Sequence, residues 1–152
     1  MSTTGAFLDH PDFPPNSPAA SRPAPPTPSR RAIVAGRVLG GLVVLFLCFD
    51  IGIKLSRARE GLEGTASLGY SPDVVFPLGL VQLACLALYL IPRTAPLGAI
   101  LWTGYLGGAI ATHVRVDNPL FSHVLFPIYV AAMLWGSLWL RDRRVRALLL
   151  PR

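Results

Sequence analysis

An all-α protein is expected from this sequence: a four-transmembrane-helix antiparallel bundle with a disordered N-terminal tail. Three observations lead there. Only 14% of the 152 residues are charged and 52% are hydrophobic, with a mean hydropathy of +0.50. Soluble domains carry about 25% charge, so this chain has too little to coat a globule of its size. Four apolar runs follow one another at bilayer-spanning length, and the links between the later runs are short.

Residues 1–31 come first and differ from the rest. "HPDFPPNSPAASRPAPPTPSRR" is rich in Pro, Ser and Ala and has no apolar period. Such a segment cannot bury enough surface to offset its ordering entropy, which predicts a disordered, Pro-rich cytoplasmic tail. The twin arginines in "SRRAIVAG" resemble an export signal. The run that follows is too long for one and lacks a small-residue cleavage site, so an uncleaved anchor is expected.

The first run is "AIVAGRVLGGLVVLFLCFDIGI" from Ala32 to Ile53, and the second is "VVFPLGLVQLACLALYLI" from Val74 to Ile91. The third, "APLGAILWTGYLGGAIAT", covers Ala95 to Thr112, and the fourth, "VLFPIYVAAMLWGSLWL", covers Val124 to Leu140. At 1.5 Å per residue they reach roughly 25–33 Å, enough to cross a hydrocarbon core. A soluble bundle would need a polar stripe on each helix, and runs two to four have almost none. Helices are therefore expected at about 32–55, 74–91, 95–113 and 123–140, within one domain over residues 32–150. The connection "KLSRAREGLEGTASLGYSPD" is longer than the others and has room for a short amphipathic piece.

Charge sets sidedness. The net charge is +6, from 14 Lys+Arg and 8 Asp+Glu. Ten arginines (22, 30, 31, 37, 93, 141, 143, 144, 146 and 152) fall on one side of the expected membrane. Lys54, Arg57, Arg59 and Arg115 fall on the other. By the positive-inside rule both termini are cytoplasmic, in a multi-pass protein of the cell membrane. The bases flank apolar runs, which suits lipid headgroups; no basic helix face suited to nucleic acid is present. Cys48 and Cys85 differ in expected depth by roughly 9 Å, too far for a disulfide.

The ionisable groups gather at one end. Asp50 and Lys54 are spaced i, i+4 with the acid first, the favourable order for a helical ion pair. His113, Arg115, Asp117 and His123 lie where the third helix leaves the membrane and the fourth enters. An ionised Asp50 below the boundary is costly unless partnered, so it is expected to point inward, towards Lys54 or a donor from the third loop. Three roles are open to this cluster. It pins helix ends at the surface; it forms an outer-leaflet ligand pocket from Asp50, Lys54, His113, Arg115 and His123; or His113, His123 and Asp117 hold a metal. The last has the least support, since no ligand pair shares a helix at i, i+4. Gly36 with Gly40, and Gly104 with Gly108, form small-xxx-small stripes, devices for helix packing within the chain or between subunits. Gln82 and Tyr105 read as buried packing contacts.

The stretches "LFLCFDIGIKL", "YLIPRTAPLGAIL", "TGYLGGAIATHVRV", "NPLFSHVLFP" and "LWLRDRRVRALL" resemble the DoxX-like family of small bacterial integral membrane proteins, over roughly residues 38 to 150. The resemblance implies a four-helix membrane fold. The wider family is similar to a subunit of a thiosulfate:quinone oxidoreductase, which implies a quinone or sulfur link, a redox protein as partner and quinone as the cofactor to consider. Asp50, Lys54, His113 and His123 match the family pattern without a catalytic assignment. The expected role is an accessory or structural subunit without its own catalysis, in contact with lipid and with itself or a partner. The alternative is a redox-linked protein binding quinone or a small sulfur compound in the outer pocket. A small transporter is weaker, because no inverted repeat or broken helix is present.

Overall fold

A computed structural model describes residues 28–149. The first 27 residues, and with them nearly all of the expected tail, lie outside the described residues. The end of that tail differs from expectation: Arg30 and Arg31 already belong to a helix. Ser29 explains the earlier start, because its hydroxyl accepts the Ala32 amide at 3.2 Å and caps the first turn.

Helix α1 spans Arg30–Leu55. Its buried residues, Gly36, Gly40, Val43, Leu47 and Ile51, recur every three or four positions and form one face. The opposite face is equally apolar: Leu45 is 69% and Phe49 68% exposed. Surface of that kind on every long helix is stable in hydrocarbon and not in water. Four helices, Arg30–Leu55, Pro72–Leu90, Ala95–Arg115 and Leu120–Arg141, are long and apolar enough to cross a membrane.

The connection after α1 folds back as a short helix, α2 (Arg59–Ser67), the amphipathic piece expected there. Arg57 and Gly69 take positive φ values of 52° and 79° at its two ends. A 3₁₀ turn at Pro72–Val74, capped by Ser71, leads into α3 (Val75–Leu90). The turn to α4 (Ala95–Arg115) is tight. Gly98 permits it, because a Cβ there would stand 2.4 Å from the Tyr89 backbone nitrogen. A π-helical turn, Leu120–Val124, precedes α5 (Phe126–Arg141), and α6 (Arg143–Leu149) follows. Asp142 Oδ1 accepts the Arg144 amide at 2.8 Å, while Arg146 donates to the last carbonyls of α5 at Trp139 and Leu140.

The four spanning helices form a ring: α1 packs on α3, α3 on α4, α4 on α5, and α5 on α1. Hence α1 and α4 stand on a diagonal. Tyr89 ties α3 to α5 through its hydroxyl, which donates to the Leu134 carbonyl and shares a hydrogen bond with Ser137 Oγ, each at 3.1 Å. Trp135 Nε1 donates to Thr103 Oγ1 at 2.9 Å, joining α5 to α4. Both cysteines are free thiols.

The glycine stripes divide in role. Gly36 and Gly40 face α5: a Cβ at Gly40 would lie 2.6 Å from Ser137 Oγ, and one at Gly36 2.9 Å from Leu140 Cβ. Of the two settings expected for the stripes, within the chain or between subunits, Gly104 and Gly108 are not packed within the described residues, since a Cβ at either meets nothing within 4 Å. Both glycines border the open space between the helices.

Candidate functional site

At the end of the bundle where α1 and α4 stop, the four helices part around a cavity of about 570 Å³. Every spanning helix contributes to its wall, and Thr65, Leu68 and Tyr70 roof it. Most of the lining is apolar, including Phe46, Leu78, Leu106, Phe126 and Val130.

One wall is polar and is built from α1 and α3. Asp50 and Lys54 share a face of α1, and Lys54 Nζ donates to both Asp50 oxygens at 2.5 Å. Gln82 Nε2 donates to Asp50 Oδ2 from α3 at 2.6 Å. Gly79, one turn earlier on α3, makes that reach short: a Cβ there would stand 3.0 Å from Lys54 Cβ and Leu55 Cδ2. The carboxylate thus has a cation and an amide donor. This satisfies the requirement on a charge held at membrane depth.

The α4 wall carries Trp102, Tyr105, Thr112 and His113, with Gly104 and Gly108 leaving the space open. Trp102 and Tyr105 meet edge to face, with centroids 5.6 Å apart. His113 Nδ1 and Asn118 Nδ2 share a hydrogen bond at 2.9 Å, which ties the histidine to the connection after α4.

Of the five residues expected in the pocket, Asp50, Lys54 and His113 line the cavity. Arg115 and His123 do not. Arg115 donates to the Leu68 carbonyl and its guanidinium lies 5.9 Å from the Tyr70 ring centroid. Tyr70 in turn bonds Thr112 Oγ1 at 3.0 Å. These contacts fasten the roof to α4, which is a different task from contacting a ligand. His123 is exposed and bonded to Ser122 Oγ, and it meets His113 ring edge to face with centroids 5.6 Å apart. The metal alternative is not formed. Among the described residues no group of three His, Cys, Asp or Glu side chains converges. His113 Nδ1 is hydrogen-bonded to the Asn118 side chain.

Gln82, Tyr105, Tyr70 and Trp102 are among the lining residues that the sequence left out of the pocket. Gln82 had a usable signal, as the single amide in the apolar run of α3. Tyr70 and Trp102 had none, because aromatic residues at membrane boundaries and in cores are ordinary.

Fold and site together define a multi-pass membrane protein whose four-helix bundle encloses a part-polar cavity at one end. The sequence profile of the DoxX-like family matches residues 38–137, an interval that contains every cavity-lining residue. The chain belongs to the DoxX-like family. No curated protein and no solved structure shows a significant match.

Proposed function

We propose that this protein is an accessory membrane subunit that holds a small amphipathic molecule inside its bundle, without a catalytic step of its own. The observation that carries this reading is the cavity of about 570 Å³ with the Asp50–Lys54–Gln82 network on its wall. Small-molecule sites have volumes of about 300–1,000 Å³, mostly apolar walls and a few placed polar groups. Ionisable side chains at membrane depth point to function by default.

A quinone or a small sulfur compound, with a redox protein as partner, is the ligand class the family favours. A quinone ring suits the residues present: the lining is largely apolar, with a few polar side chains on it, among them Tyr105, Thr112 and His113. When bound, a quinone supplies two-electron redox chemistry, and the chain's part is to orient it and exclude water. The ten-to-four distribution of Lys and Arg supports cytoplasmic termini and a cavity in the outer half of the membrane.

The test uses the empty space beside Gly108. Wild-type protein and Gly108→Leu are extracted with their native lipids in polymer-bounded discs, and small molecules are identified by mass spectrometry. An amphipathic molecule retained by the wild type and lost from the variant supports the reading. Identical small-molecule contents overturn it.

A further inference from the structure

The opposite end of the bundle carries an open groove of about 800 Å³ on its outer surface. Its lining is a stripe of α1, with Arg30 and Arg31 at the head and Val34, Ala35, Val38 and Leu39 below them, facing Leu140 of α5. By helix rise the stripe runs roughly 12 Å from the arginines to Leu39. Gly36 brings the second wall near: a Cβ there would stand 2.9 Å from Leu140 Cβ. Val34 and Val38 are exposed, and on a spanning helix that exposure is to lipid.

Charge at the head of the groove has one sign. Arg30 and Arg31 stand in the first turn of α1, which holds no acidic residue, and no ion pair among the described residues involves either. Two cations there oppose the helix dipole, an arrangement that an anion resolves. Nearby charges are otherwise engaged. Arg146 holds the Trp139 and Leu140 carbonyls, and the Arg141 guanidinium lies 5.6 Å from the Tyr89 ring centroid. Among the described residues this end has a single carboxylate, Asp142, and it accepts the Arg144 amide.

We infer that this groove seats one anionic phospholipid, with its phosphate on Arg30 and Arg31 and an acyl chain along Val34, Val38 and Leu39 against Leu140. Guanidinium groups match phosphate with paired N–H donors, and basic pockets beside spanning helices hold acidic headgroups. A zwitterionic lipid brings its own cation and leaves the two arginines less well neutralised. The seat lies at the far end of the bundle from the cavity and does not depend on it.

The probes are dioleoyl phosphatidylglycerol and dioleoyl phosphatidylcholine, which share acyl chains and differ in net charge. Each is titrated into the full-length protein in mild detergent, and bound lipid is counted by native mass spectrometry. One phosphatidylglycerol is expected to bind about tenfold tighter than phosphatidylcholine, an effect within reach of two arginines at a membrane surface. In Arg30→Gln/Arg31→Gln that ratio falls to about one. Arg143→Gln/Arg144→Gln removes the same charge from the same end outside the groove and should keep the preference. Ala35→Trp fills the groove, spares both arginines and should weaken phosphatidylglycerol binding. Equal wild-type affinities for the two lipids, or a dimer that takes up neither, overturn the seat. Equal loss of preference in the two arginine variants overturns it as well, because the preference would then belong to the overall charge of this end.

Discussion

Gln82 Nε2 lies 2.6 Å from Asp50 Oδ2, so that an amide from α3 completes an acid–base pair belonging to α1. Two neighbouring helices are joined by a charge that cannot be left alone. Breaking a buried pair by removing one partner costs more than replacing both, because the survivor stays charged in a poorly solvated place. Lys54 and Asp50 side chains are 16% and 32% exposed, so the effect is reduced by partial solvation. Asp50→Leu is expected to lower stability by about 1–3 kcal/mol in SDS-induced unfolding, and Asp50→Leu/Lys54→Met by less. A double variant weaker than the single one refutes this account of the pair.

Glycine substitutions separate close packing from open space. Gly98→Ala drives a methyl group into the Tyr89 backbone, at a Cβ distance of 2.4 Å. Backbone cannot step aside as a flexible side chain can, so a loss of about 1–3 kcal/mol is expected, with the α3–α4 turn loosened. Gly104→Ala meets nothing within 4 Å and should leave unfolding unchanged or raise stability by up to about 1 kcal/mol through helix propensity. The same unfolding titration reads both variants, and equal effects would contradict the packing described.

The roof is held by few contacts. Arg115 on the Leu68 carbonyl and Tyr70 on Thr112 Oγ1 fasten it to α4. Arg115→Ala/Tyr70→Phe is expected to speed amide hydrogen exchange in residues 59–67 by about tenfold, the loss of roughly 1.4 kcal/mol of local closing energy. Protection in α4 and α5 should stay as it was. Exchange that rises throughout the bundle would show that these contacts stabilise the whole fold and not the roof.

Sidedness is decided by labelling in intact cells. In a Cys48→Ala/Cys85→Ala background, cysteine at Ser122 should react with a membrane-impermeant maleimide from outside. Cysteine at Ser29 should react only after permeabilisation. The Lys and Arg distribution sets this expectation, and the reverse pattern of labelling inverts the topology.

Much of the architecture was legible in the linear order of residues, and the reason is local. Hydropathy and length mark a spanning helix without knowledge of its neighbours, and a link such as "PRT" leaves no room for anything but a hairpin. Asp50 and Lys54 share a face because they are one helical turn apart. Arg30 and Arg31, placed in the tail because the apolar run begins only after them, are helical because Ser29 caps the turn that they begin.

What only the tertiary structure decided is which faces meet. In hydrocarbon the lipid-facing and core-facing sides of a helix are both apolar, so periodicity does not say where a stripe of glycines points. Gly36 and Gly40 turned out to pack on Ser137 and Leu140, while Gly104 and Gly108 border the cavity. The same indeterminacy hid the places of Gln82 and Trp102 in the cavity wall and let Arg115 pass for a pocket residue when it fastens the roof. Spacing along one helix is set by 1.5 Å of rise and a fixed turn per residue. Juxtaposition across helices depends on the ring order of α1, α3, α4 and α5, which arises only when the four pack together.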